Sequence, residues 1–199
     1  MTDFRLETER LVLRNWRPGD IVRFAEVTNT PEVMRWLGGV MDAERLAFFE
    51  SRILGFHESY GHTFWIVERK VDGGALSGEM LGFCGLKTID APGASFLGAV
   101  EIGWRLRSDS HGKGYAKEAA TASLDAGFDR FRADEIFAIT VIENAPSWGL
   151  MCRLGMRRRE ELDYDDLRFE PPLRHTIVHS ITREEWAAQP RCSMRPGEG

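Results

Sequence analysis

The sequence predicts a single α/β (α+β) domain with one central mixed, mostly antiparallel sheet of about seven strands flanked by helices. Three observations carry this expectation. Residues 20–58 repeat their apolar side chains at helical spacing. Three aromatic and β-branched runs follow between short turns. A strand, a helix and a further strand then succeed one another from 97 to 142.

Residues 4–14 alternate in part, with Leu11 and Leu13 on one side and Arg10, Val12 and Arg14 on the other, which predicts a first strand. Pro18-Gly19-Asp20 ends it and opens a helix carrying Ile21, Phe24, Ala25 and Thr28. Pro31 starts a helical piece with Val33, Met34 and Leu37; residues 43–58 form an amphipathic helix with Leu46, Phe49, Ile53 and Phe56 on one face. Runs at 62–68, 80–89 and 97–106, separated by Asp72-Gly73-Gly74 and a loop with Pro92 and Gly93, predict an antiparallel meander. The helix at 114–130 spaces Ala116, Ala120, Leu124 and Phe128 four apart, and 135–142 is a buried strand. A short helix at 145–154 closes on Gly155, and strands at 156–162 and 173–181 enclose a polar loop at 163–171. The strand-helix-strand unit predicts a right-handed crossover between two parallel strands. The domain is expected to span 4–182, and the polar, Pro- and Gly-rich stretch 187–199 to be a disordered tail.

Composition excludes several classes. The net charge of -5, with no basic stripe, argues against nucleic-acid binding. Cys84, Cys152 and Cys192 are odd in number and far apart, which fits a reducing cytoplasm rather than a disulfide framework. Charges at Asp3, Arg5 and Glu7 are unlike a signal peptide, and no apolar run approaches the ~20 residues of a membrane span. The histidines His57, His62, His111, His175 and His179 form no ligand set, so no catalytic metal is expected.

The informative stretch runs from Arg107 to Ala116: Arg-Ser-Asp-Ser-His-Gly-Lys-Gly-Tyr-Ala. It follows a strand and opens a helix, where free backbone N–H groups and the positive end of the helix dipole favour an anion, and glycines allow it close. A P-loop is excluded because Gly114 follows Lys113, and a dinucleotide fingerprint because Lys117 stands where a third glycine belongs. A glycine turn with no ligand remains the alternative for this segment alone.

The segment does not stand alone. His111, Gly114 and Ala116 resemble motif A of the GNAT acetyltransferase superfamily, with His111 where a Gln or Arg is usual, and Tyr115 to Ala119 resemble the start of its cofactor-binding helix. Val100-Glu101-Ile102-Gly103-Trp104-Arg105-Leu106 resembles the preceding strand, and Asn144-Ala145-Pro146-Ser147 with Leu154-Gly155-Met156 resembles the second cofactor segment. With Glu9-Arg10-Leu11-Val12-Leu13-Arg14, the pattern is most similar to the RimJ/RimL-type branch, over roughly residues 4–182.

That resemblance implies an N-acetyltransferase using acetyl-CoA, without a metal, on a primary amine that is either a protein N-terminus or a small molecule. It implies a cofactor site of Trp104, Arg105 and Leu106 on the strand, His111, Gly112, Lys113, Gly114, Tyr115 and Ala116 at the turn, and Asn144 with Ser147 beyond it. Strand amides at Trp104 and Leu106 would hold the pantetheine arm or the thioester oxygen. The alternative is a fully paired strand. Glu101 would be the general base, against a solvent-facing or arginine-paired strand residue. Ser147 would assist the leaving thiolate, against an ordinary helix cap. His175 is expected to be a buried, hydrogen-bonded histidine, against one facing the acceptor site, and Asp163, Asp165 and Asp166 a solvated acidic loop, against one that attracts a cationic amine. No cysteine has a histidine partner in the sequence, which favours direct transfer over an acyl-enzyme. A homodimer is a family-level expectation. A non-catalytic acyl-CoA-binding module and an unrelated phosphate-binding protein are the alternatives.

Overall fold

The computed structural model describes residues 4–190. A hairpin of β1 (Arg5–Glu7) and β2 (Leu11–Arg14) leads into helices α1 (Asp20–Thr28), α2 (Pro31–Met34) and α3 (Ala43–Tyr60). Strands β3 (Phe64–Arg69), β4 (Met80–Thr88) and β5 (Val100–Leu106) follow, then α4 (Tyr115–Asp129), β6 (Glu135–Thr140) and α5 (Ala145–Arg153). The chain ends with β7 (Arg157–Arg158), β8 (Tyr164–Asp165), β9 (His175–Thr182) and α6 (Arg183–Ala187). These strands make one sheet in the order β1-β2-β3-β4-β5-β6-β9-β7, with β8 beside β9. All pairs are antiparallel except β5 and β6, which α4 joins. The fold class is as expected from the sequence. Among the described residues, no helix is long and apolar enough to cross a membrane.

Local hydrogen bonding explains where the elements depart from their expected bounds. The first strand breaks because Thr8 folds back: its hydroxyl accepts from Leu11 N at 3.0 Å, and its own N–H donates to Leu11 O. The stretch 156–162 keeps only two ladder residues before the chain turns at 160–162, since Asp163 accepts from Val178 N and from Arg158. The loop at 163–171 accordingly begins as β8. A further helix, α6, begins at a capping box between Thr182 and Glu185. Of the expected tail, Ala187 closes α6 and Gln189 Nε2 donates to Leu154 O at 2.9 Å; residues 191–199 lie outside the described residues.

Both faces of the sheet are covered, so β3 and β4 read as nearly unbroken apolar runs. Trp65, Leu86, Ile102 and Ile136 pack under α4, α5 and α6, with Phe4 stacked on Trp65. Phe24 of α1 and Ile53 of α3 pack with Phe64, Ile66 and Phe83 in a second cluster, and Ile89, Phe137, Tyr164 and Val178 belong to a third. Helix α4 lies close because its inner face is Ala119, Ala120, Ser123 and Gly127; a Cβ on Gly127 would stand 2.5 Å from Ile136 Cδ1.

His62 enters β3 buried, with Nδ1 3.1 Å from Leu86 O and its ring against Phe131. Burial holds its pKa below the ordinary histidine value. The unfolded chain therefore takes up a proton near pH ~6.5 that the folded chain refuses, so stability falls as pH drops through that value. Burial lowers His179 in the same sense. Urea unfolding between pH 7.5 and 5.5 (roughly one unit either side of that value) is expected to show declining stability, with a shallower slope in His62→Asn; an unchanged slope would refute the assignment.

Candidate active site

Strands β5 and β6 pair through only two positions, Val100 opposite Ile136 and Glu101 opposite Phe137. Beyond them β5 continues along β4, from Ile102 opposite Leu86 to Leu106 opposite Gly82, while Ala138 to Thr140 continue along β9. The two facing edges diverge, and their N–H and C=O groups lack a strand partner on that side. The end of β5 is fixed by a close backbone approach: Gly82 has φ 139°, and a Cβ there would lie 2.1 Å from Arg105 O. The fully paired strand weighed as the alternative is therefore found on only one side of β5.

The chain leaves β5 through a short turn at Ser108–Ser110 and enters α4 through Gly112 (φ 74°) and Gly114 (φ 82°). Gly114 is the N-cap and contributes no side-chain bond, unlike Asp42 on α3 or Thr182 on α6. Residues 111–114 are exposed, and the first amides of α4, which follow them, have no acceptor within the helix. The turn is gripped from behind by β2 and its approach. Arg10 Nη1 donates to Lys113 O at 3.0 Å, and Glu118 accepts from Thr8 Oγ1, Arg10 N and the Arg10 guanidinium. Burial opposes ionisation of Glu118, but these bonds hold its carboxyl below the ordinary range. Tyr115 is buried, its hydroxyl accepting from Arg69 Nε at 3.0 Å. The His111 ring is tied to Leu106 O at 3.1 Å and so fastens the turn to the end of β5.

On the far side of the cleft, Asn144 Nδ2 donates to Thr140 Oγ1 at 3.0 Å and does not cap α5. Ser147 sits half-buried in the first turn of α5, and its hydroxyl makes no hydrogen bond among the described residues. The capping role weighed for it is not realised.

Alternation along β5 sends Ile102, Trp104 and Leu106 toward α4, and Glu101 and Arg105 toward α1 and α3. Glu101 is 7% exposed and stands directly across from Lys87, whose Nζ lies 2.6 Å from Oε2. It neither faces solvent nor meets an arginine; it forms a buried ion pair with a lysine, which also reaches Asp90 at 3.4 Å. Tyr164 is buried nearby, and burial followed by the Glu101 charge pushes its phenol pKa up. The Arg105 guanidinium lies over Phe24, Phe49 and Phe83, 5.0 to 5.5 Å from their centres. Only the Arg105 backbone therefore remains at the divergent edge.

Other expectations are corrected here. Asp163 and Asp166 are not solvated: Asp163 binds Arg158, and Asp166, 2% exposed, binds Arg168. His175 is exposed, its Nδ1 3.2 Å from Asp165. Cys84 is buried and its thiol pKa is pushed up to about 12, which disfavours a thiolate nucleophile there. Sequence reasoning missed Lys87, although a lysine inside the apolar run 80–89 was a visible signal. The helices from 20 to 58 and the loop at 163–171, which the sequence expects to form the acceptor site together, do meet: Gly38, Gly39, Arg45 and residues 168–173 line a cavity of about 600 Å³.

Glu101→Gln leaves Lys87 with Asp90 alone and is expected to lower stability by roughly 3 kcal/mol in urea unfolding. Converting Lys87 and Glu101 together to Met should recover most of that loss; an additive double variant would contradict the pairing. Gly82→Ala is expected to cost about 2 kcal/mol by forcing β4 from Arg105 O.

A model of the acetyltransferase (GNAT) domain matches residues 10–157. The uncharacterized N-acetyltransferase YnaD of Bacillus subtilis (strain 168) is 30% identical over 156 residues, covering 77% of this chain and 82% of that protein. The GNAT-family acetyltransferase structure from Bacillus anthracis superposes with a TM-score of 0.69 at 25% identity, covering 91% of this chain and 99% of the other. A structure of spermidine N-acetyltransferase from Vibrio cholerae, in complex with CoA and spermine, matches with a TM-score of 0.67 at 17% identity, covering 90% and 99%.

Proposed function

Starting from the fact that this chain belongs to the GNAT acetyltransferase family, we propose that it transfers the acetyl group of acetyl-CoA directly to a primary amine. One observation carries the reading: β5 and β6 part immediately beside an exposed, side-chain-uncapped helix start. The residues present fit the cosubstrate. The amides and glycines of 112–116 suit a pyrophosphate, and the open strand edges suit the amides of a pantetheine arm, which pair as an added strand would.

Acetyl-CoA supplies a thioester carbon that accepts the amine's electron pair as its bond to sulfur breaks. The chain's part is to orient and to move protons. Backbone groups at Trp104 and Leu106 line the arm, and an N–H there steadies negative charge on the thioester oxygen. The unbonded Ser147 hydroxyl donates to the departing sulfur. Glu101 takes the amine's proton, directly or through water. The spacing from Asn144 to Ser147 and the opening Glu9 to Arg14 favour the RimJ/RimL-type branch, and a cytoplasmic setting accords with the three cysteines. The acceptor is a protein N-terminus or a small amine. The Lys87–Glu101 ion pair favours a second reading, a non-catalytic acyl-CoA-binding module, because it neutralises the proposed base.

Calorimetric titration with acetyl-CoA tests the binding half. A Cβ on Gly112 would meet nothing within 4 Å, so Gly112→Asp adds charge without a clash. Wild type is expected to bind at micromolar concentration and Gly112→Asp about tenfold more weakly, with the fold kept and a small drop in melting temperature from the left-handed backbone at φ 74°. Ser147→Ala should keep acetyl-CoA affinity and lose about a hundredfold in kcat. Binding without turnover of any amine would favour the second reading; no binding at all would overturn both.

A further inference from the structure

Arg105 is the most unusual charge in the molecule. It is half-buried, and its Nε and Nη1, themselves buried, have no hydrogen-bond partner among the described residues. Burial, then the neighbouring charge of Arg45, lowers its pKa to about 10, which marks a guanidinium short of compensation. Three phenylalanine rings hold its plane but neutralise nothing. The carboxylates nearby are already engaged: Glu101 by Lys87, Asp90 by Arg52, Asp166 by Arg168, and Glu170 at the cavity by Arg174. Arg45 is held only by long bonds, 3.3 to 3.5 Å, to the carbonyls of Gly38 and Val40. Its side chain lines the cavity of about 600 Å³, a volume suited to a small metabolite. The acceptor face thus carries surplus positive charge in a chain whose net charge is -5.

Building on the amine-acetylation reading, we infer that the acceptor is an amine carrying a carboxylate, recognised by Arg105 and Arg45. A guanidinium whose Nε and Nη1 are buried without a partner attracts a carboxylate, and removing that partner leaves the donors unsatisfied. A polyamine would instead meet two unneutralised guanidiniums.

Acetyl-CoA-dependent thiol release is measured with phenylalanine, methionine and glutamate against their α-carboxamides, and with spermidine. Wild type is expected to favour at least one acid over its amide by about tenfold or more in kcat/KM, carried mainly by KM. That preference should collapse in Arg105→Met and recover in part in Arg105→Lys. Arg45→Met, at an exposed position, should also reduce it. Amides or spermidine acetylated as well as the acids, or a preference that survives both Met variants, would overturn the inference and leave the amine reading standing. Acetyl-CoA binding with no transfer to any amine would overturn both.

Discussion

The structure turns on two strands that run together for two residue pairs and are then claimed by different neighbours. β5 is held along its length by β4, and β6 by β9, so neither edge is free to close on the other. Unpaired backbone between two such edges is costly to leave dry, and it persists because both outer ladders are complete. The approach of Arg105 O to Gly82 fixes one side of the opening, and the Asn144–Thr140 bond braces the other.

The start of α4 belongs to the same construction. Helices α3 and α6 satisfy their first amides with Asp42 and Thr182, whereas α4 begins on a left-handed glycine. What would be a weak helix end is stabilised from behind: Arg10 and Thr8, more than a hundred residues earlier in the chain, hold Glu118 and Lys113. The clamp holds the carboxylate of the first turn against Thr8 and Arg10 and puts no side chain on the first amides. The uncapped amides and the divergent strands meet at the end of β5, joined by the His111–Leu106 contact.

The opposite face has a different electrostatic character. Its acids are tied into ion pairs, and Lys87 offsets Glu101 where the strands are still joined. Arg105, two side-chain positions further along the same face, is surrounded by rings instead of acids. Glu101 and Arg105 thus stand apart along one strand yet on one side of the sheet, because alternate residues share a face.

Much of this was legible in the sequence. Periodicity located α1, α3 and α4; β-branched and aromatic runs located β3, β4 and β5; the glycines around Lys113 marked the anion-suited turn. These are local properties, set by side-chain spacing and backbone freedom. What required the tertiary structure depends on partners distant in the chain. The break at Thr8 and the short β7 follow from side-chain bonds that compete with the ladder. The pairing of Glu101 with Lys87 follows from strand register, and the isolation of Arg105 among Phe24, Phe49 and Phe83 from packing three elements together. The sequence alone determined which segments form helices, strands and turns, since those preferences lie within a few residues. Only the fold decided which charges are neutralised and which strand edges stay open, because both depend on what the rest of the chain brings alongside.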